Sequence, residues 1–209
     1  MSGLLIVGAG GHGKVVADTA LETGRWQEIA FLDARYPELQ HNGVAPVIGT
    51  EGDAGRMRDR FPELVVAIGN SSLRISLLEK FRELGFRLAD VIHPRAFVSR
   101  DVVLGGGCVV FAQAAINRSA RLGLGCIVNT GATVDHDCLL GNGVHCCPGS
   151  HLGGGVRIGD FSWVGIGAAV IQQISIGAHV TLGAGSAVIN DIPDHATAVG
   201  VPARVVTTK

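Results

Sequence analysis

From Ile92 onward every sixth residue is aliphatic, through Val98, Leu104, Val110, Ile116, Leu122, Val128 and Val134 and on without a break to Leu182 and Val188. Only Cys146, itself small and apolar, departs from the type. Four residues after each member comes a second set, nearly all small or β-branched, that includes Ala96, Cys108, Cys126, Ala132, Ser162 and Ile192. A repeat of six is neither the 3.6-residue period of a helix nor the plain alternation of a long strand. It predicts very short strands joined by tight corners, three hexads to a coil of triangular section, so that residues eighteen apart stack at about 4.8 Å. The pattern predicts a parallel β-helix of hexapeptide repeats over 92–192, roughly five and a half coils, followed by a C-terminal tail over 193–209.

The first ninety-one residues follow another pattern. "LLIVGAGGHGKVVADTALETG" reads as a buried strand, a glycine turn and an amphipathic helix that stops near Gly24, and "EIAFLD" as a second strand. Thr50 and Asp53 have the spacing of a capping box, "LVVAIGN" is a further buried strand, and Ser71 can cap the helix "LRISLLEKFREL". Alternating strands and helices predict a small parallel α/β domain of Rossmann-like type over 1–91, with the change of pattern near Ile92 to Pro94.

Composition adjusts this picture in three places. A formal net charge of -1 with no Lys/Arg-rich block argues against nucleic acid or an anionic membrane as a partner. The opening "MSGLLIVGAGG" has no basic start and too short an apolar run for a signal peptide or membrane helix, which points to the cytoplasm. The five cysteines all lie between Cys108 and Cys147 without a CxxC pair, so reduced thiols are expected, Cys108 and Cys126 one coil apart as packing residues. The same placement argues against an acyl-cysteine intermediate at Cys138, Cys146 or Cys147.

Candidate chemistry gathers in two stretches. Gly8, Gly10 and Gly13 fit GxGxxG between strand and helix, with Asp33 ending the next strand, a pattern that receives phosphate on bare backbone amides. Taken alone it suggests NAD, but other nucleotides use the same turn and no separate domain remains for hydride chemistry. His12, inside the turn, either touches a diphosphate or caps the helix. In "TVDHDCLLGNGVHCC", His136 stands between Asp135 and Asp137, and His145 follows nine residues later. An imidazole held at one nitrogen by a carboxylate is a general base at the other. The alternative is a solvated corner histidine, which is the reading preferred for His151, His179 and His195.

"GAGGHGK", "FLDAR", "AIGN", the unbroken hexads, "DHDCLLGNGVH" and "VGVPARVV" together resemble the bacterial sialic-acid-synthesis-type sugar O-acyltransferase family. Its relatives include the UDP-4-amino-sugar N-acetyltransferases of bacillosamine biosynthesis and the GDP-perosamine N-acetyltransferases. The resemblance implies a left-handed β-helix, a homotrimer with sites between subunits, a nucleotide sugar on the N-terminal domain and acetyl-CoA along the β-helix, with no metal. It implies His136 as base and Asp137 as the acid that raises its basicity. His145, Ile166 and Ala184 are expected to face acetyl-CoA. Gly10, Gly11 and His12 match the diphosphate turn, Asp33 the residue that reads the base, and Gly69, Asn70 and Arg74 the far edge of that pocket. Ala34 stands where some members have a second acid, which leaves UDP and GDP both open, and Arg35 and Tyr36 either line the site or cover the sheet edge.

The implied reaction is N-acetylation of a nucleotide-linked 4-amino-4,6-dideoxy sugar. O-acetylation of a sialic-acid-like sugar is the alternative within the class. Outside it stand a non-catalytic nucleotide-sugar sensor and a γ-carbonic-anhydrase-type lyase with His136, His145 and His151 on zinc, a class that lacks a nucleotide domain.

Overall fold

The computed structural model describes residues 3–208. The chain forms two compact units divided after Pro94.

In the first unit, strands β1 (Gly3–Val7), β2 (Glu28–Leu32), β3 (Val47–Gly49), β4 (Glu63–Val66) and β5 (Arg87–Leu88) make one parallel sheet in the order β3-β2-β1-β4-β5. Strands β1 and β4 are buried along their whole length and β2 beyond Glu28, as parallel strands covered on both faces must be, with Leu4, Leu5, Ile6, Phe31 and Leu64 fully enclosed. Two helices, α1 (Gly11–Thr23) and α2 (Ser71–Glu83), alternate with the strands. Gly24, at φ 62°, ends α1 where the hydrophobic pattern stops. The Thr50/Asp53 box forms, Asp53 Oδ2 accepting from the Thr50 amide at 2.8 Å, but it starts a 3-10 helix, Glu51–Met57. Asn70, not Ser71, caps α2: its side chain accepts from the Leu73 amide at 2.9 Å, and Ser71 is already helical.

Strand order reverses at β1, whose neighbours β2 and β4 lead to opposite sides, and such a switch point opens a crevice beyond the carboxyl ends of the strands. A cavity of about 740 Å³ lies there. The glycine turn at its rim is sterically dictated. Gly8 has φ 102°, and a Cβ on Gly13 would stand 2.1 Å from the Gly8 carbonyl oxygen, so α1 can close on β1 only with glycine at both places.

The second unit is a stack of two-residue strands from Phe97–Val98 to Ala187–Val188, every one pairing in parallel with the strand eighteen residues away, as in Thr133↔His151 and His145↔Trp163. They form three sheets, one per face of the coil. The aliphatic set points inward, with Val110, Ile116, Val128, Val134 and Cys146 wholly buried, and the small set fills the corners beside it. The buried thiols and hydroxyls there bond to corner carbonyls: Cys126 Sγ to Gly141 O at 3.1 Å, Cys138 Sγ to Gly153 O at 3.2 Å and Ser162 Oγ to Gly177 O at 2.8 Å. All five cysteines are free and buried.

Residues 193–208 do not trail away from the stack. Ala196–Gly200 pairs in parallel with Thr181–Leu182, and Ala203–Thr208 turns back antiparallel on it, so the tail read from the sequence closes one of the three sheets.

Candidate active site

His136 sits in the turn between Thr133–Val134 and Leu139–Leu140, at the edge where two faces of the coil meet. Its Nδ1 lies 2.8 Å from Asp137 Oδ2, both side chains being more than half exposed. A carboxylate can only accept, so Nδ1 carries the proton and Nε2 keeps a lone pair. The Asp137 bond, helped by the charge of Asp135, raises the His136 pKa above the ordinary imidazole value. Asp135 itself is engaged elsewhere: its Oδ1 accepts from the Asn117 side-chain Nδ2 and from the His136 backbone N–H, both at 2.8 Å. It thus fixes the turn, while Asp137 holds the ring.

Two local features make this possible. Asp137 has φ 60°, a left-handed conformation that the equivalent corner one coil later gives to Gly155 at φ 70°. Gly154, one coil below His136, lies under the imidazole, where a Cβ would come within 2.5 Å of Nε2. The bare glycine keeps the basic nitrogen open.

His145 is elsewhere on the same coil. It belongs to the face opposite the His136 edge, in the sheet with Ile127 and Trp163, and is 6% exposed. Asn129 Nδ2 approaches its Nε2 at 3.2 Å, while Asn129 Oδ1 accepts from the Thr130 amide at 2.9 Å. That second bond orients the amide, so Nε2 accepts and the imidazole proton is on Nδ1. Trp163 packs on the ring with centroids 4.1 Å apart. Ile166 and Ala184 occupy successive levels of one corner, joined by the bond from Gly185 N to Ile166 O at 2.8 Å, and both are exposed. His151 approaches Thr133 Oγ1 at 3.0 Å, and His179 stacks between Phe161 and His195. Among the described residues, no three His, Cys, Asp or Glu side chains group closely enough to hold a metal ion.

In the first unit, Gly10, Gly11, His12, Asp33 and Gly69 line the switch-point cavity. Burial, with Arg74 as a second cause, pushes the His12 pKa down to about 4, so it is a neutral imidazole near pH 7. Asp33 is saturated. It accepts from the Ala9 amide at 2.7 Å and from Arg35, through the backbone N–H at 3.0 Å, Nε at 2.7 Å and Nη2 at 2.9 Å. These bonds hold its carboxyl far below the usual carboxylate range. Arg35 lines the cavity and Tyr36 does not. Asn70 and Arg74 also stand outside the lining. Arg74 is buried and donates to the carbonyls of Ile68 at 2.7 Å and Gly69 at 3.1 Å, supporting the turn from behind.

Residues 3–81 match the PglD N-terminal domain family. The acetyltransferase domain of PglB from Neisseria gonorrhoeae, solved with acetyl coenzyme A, is 44% identical, with a TM-score of 0.92 and 98% of each chain covered. The chain belongs to the PglD-type hexapeptide acetyltransferases. PerB, the GDP-perosamine N-acetyltransferase of Caulobacter crescentus solved with CoA and GDP-perosamine, is 41% identical, with a TM-score of 0.93 over 99% of this chain and 98% of that one. Two variants of that enzyme, with one histidine replaced by Ala or Asn, are also similar in structure. UDP-N-acetylbacillosamine N-acetyltransferase of Bacillus subtilis is 39% identical over 117 residues, which is 54% of this chain and only about half, 52%, of that enzyme.

Asn117, Asn129 and Gly154 escape a reading of the linear motif. Asn117 is one level above Asp135 and Gly154 one level below His136, so for these two the eighteen-residue register was the usable signal, while Asn129 reaches His145 across sixteen residues.

Proposed function

We propose that this chain is an acetyl-CoA-dependent N-acetyltransferase acting on the amine of a nucleotide-linked 4-amino-4,6-dideoxy sugar. The observation that carries the reading is the His136–Asp137 pair at 2.8 Å with Nε2 left open over Gly154. In direct transfer the amine nitrogen attacks the thioester carbonyl, forming the C–N bond. His136 Nε2 takes the ammonium proton from the tetrahedral intermediate, the C–S bond breaks, and the proton passes to the departing thiolate. Asp137 keeps the ring in the tautomer with Nε2 unprotonated and stabilises the imidazolium while it exists.

The acid–base pair and the Asn129–His145–Trp163 group lie on opposite sides of one coil, so a single chain does not bring the two histidines together. A neighbouring copy would present its own opposite face to this edge, which supports a homotrimer with three shared sites. In that arrangement Ile166 and Ala184 line the acetyl-CoA groove, and His145 meets the thioester. The switch-point cavity takes the nucleotide diphosphate, and no metal is required. Five buried free thiols fit a reducing cytoplasm. Among the described residues no helix is long and apolar enough to cross a membrane.

The test is free-thiol release from acetyl-CoA against UDP- and GDP-linked 4-amino sugars, with sialic acid as control. Release with one amino sugar, lost in His136→Ala while nucleotide-sugar affinity persists, is expected. Release with sialic acid alone would assign O-acetylation instead.

A further inference from the structure

The coil of the second unit has three edges, and the proposed site uses two of them: His136 is on one, Ile166 and Ala184 on another. The third edge, between the sheet of Leu139 and the sheet of His145, is built from the turns 141–144, 159–162, 177–180 and 193–195. At one position of that edge the first coils carry Gly107, Gly125 and Gly143, with φ of 64°, 61° and 67°. The later coils keep the left-handed backbone but place rings on it: Phe161 at φ 62°, His179 at 56° and His195 at 60°. The main chain fixes their levels, since the His179 backbone N–H donates to Asp160 O and the His195 backbone N–H to Ala178 O, both at 2.8 Å.

A bulky residue avoids this conformation because its Cβ crowds the backbone, so three in succession at one edge call for a cause. Their side chains form a column. The Phe161 and His179 centroids are 4.9 Å apart at 26°, and those of His179 and His195 4.9 Å apart at 7°. Both imidazoles are exposed, and among the described residues no hydrogen bond engages their ring nitrogens. Beside the column stand Asp160 and Asp194, seated over Gly141 and Gly177, where a Cβ would collide with their Oδ1 atoms. Asp160 Oδ1 accepts from the Asn142 backbone N–H at 2.7 Å and Asp194 Oδ1 from the Ala178 backbone N–H at 2.8 Å, so both carboxylates are held in place. These turns contain no Lys or Arg. The edge therefore gathers imidazole and carboxylate, both metal-binding groups, without a permanent cation of its own.

From this column, and resting on the homotrimer reading, we infer that the third edge lines the three-fold axis and that His179 of three copies together binds one divalent transition-metal ion of the zinc or nickel type. Each coil in a three-fold ring turns one side to the axis. Acetyl-CoA and a nucleotide sugar must reach the shared sites from solvent, past the Ile166–Ala184 edge and the His136 edge, so those two face outward and the third faces inward. One chain cannot complete the site, since among the described residues no three suitable ligands meet within it. Symmetry supplies the other two imidazoles at equal distance. Three neutral imidazoles at about 2.0–2.1 Å are a sufficient protein ligand set for such an ion, with water in the remaining position. His179 is the ligand because its ring is stacked on both faces, by Phe161 and His195, and so loses less freedom on binding. A second dication one coil away, at about 4.8 Å, would be repelled, which sets one ion per three chains. Two carboxylates per chain become six around the axis, and the ion offsets their mutual repulsion. It is a clamp between copies and takes no part in acetyl transfer.

The test strips the full chain with a chelator and titrates it with Zn2+, in the parent, His179→Phe and His195→Phe, reading bound metal by elemental analysis and assembly by sedimentation. Phenylalanine already occupies this corner at Phe161, so neither variant breaks the turn. The parent trimer is expected to hold one Zn2+ per three chains, and Zn2+ should lower the trimer dissociation constant about tenfold or more. His179→Phe should bind Zn2+ about a hundredfold or more weakly while remaining trimeric at high protein concentration. His195→Phe keeps the stack and should keep the stoichiometry. Acetyl transfer by the stripped trimer should match that of the loaded one. The axial site is overturned if the trimeric parent binds no Zn2+, if it binds one per chain, if His179→Phe binds as the parent does, or if only His195→Phe loses the ion. A parent that stays monomeric with and without Zn2+ overturns the homotrimer reading itself.

Discussion

Gly154 lies one coil below His136, so close that a methyl group on it would stand 2.5 Å from Nε2 of the imidazole. The three atoms nearest that hypothetical Cβ all belong to the His136 ring. Gly154→Ala should therefore displace the ring and lower kcat about a hundredfold while leaving thermal stability within about 1 kcal/mol of the parent. Steady-state kinetics and a melting curve check this, and in a His136→Ala background the same change should cost nothing further.

Asp137 occupies a left-handed corner, φ 60°, with an ordinary side chain. Asp137→Gly should keep stability within about 1 kcal/mol of the parent, because glycine adopts that backbone freely. It should cost turnover about a hundredfold, because the imidazole loses its anchor. A stability loss much larger than this would assign Asp137 a structural role instead.

The pH profile follows from the same pair. His136 is active when neutral and its pKa is raised above 6.5, first by the Asp137 bond and then by Asp135. Activity should fall as pH drops through that raised value. Asp137→Asn removes the larger cause, so its acid limb should lie at lower pH while its maximum rate is reduced. Asp135→Asn, which leaves the Nδ1 bond in place, should move the limb less. A pH–kcat/KM series on the three proteins reads both shifts.

The thiols should be bystanders. Burial pushes the Cys147 thiol up to about 11, and Cys146 and Cys138 are raised by the same cause. Mixing with acetyl-CoA should give no acetylated protein by intact mass, and Cys147→Ala should retain turnover. A stable increase of one acetyl group on a cysteine would require a two-step transfer.

Most of the stack was legible because inward residues recur at a fixed interval, and a buried aliphatic at every sixth position has no other economical explanation. The His136–Asp137 bond was legible for the same reason, being local in sequence. Asn129, Asn117 and Gly154 were not, since each acts through space from a neighbouring coil and carries no motif. In the first unit, GxGxxG located the cleft, but only coordinates show that Arg35 saturates Asp33 or that Arg74 lies behind its turn. Asn70 and Ser71 are adjacent cap formers, and Asn70 is the one that stays extended outside the helix. The final strands lacked the hexad signature because they close the stack rather than extend it.

The eighteen-residue register also acts as a phase. Any insertion of eighteen residues between His136 and the C-terminal strands would lengthen the stack and return every later corner to its own edge. An insertion of six would carry each later residue one third of a turn around the axis, so the residue beneath His136 would no longer be Gly154 but one drawn from a different edge. Chain length in this molecule is therefore an angular variable, and evolution of the site is free to add whole coils but not parts of one.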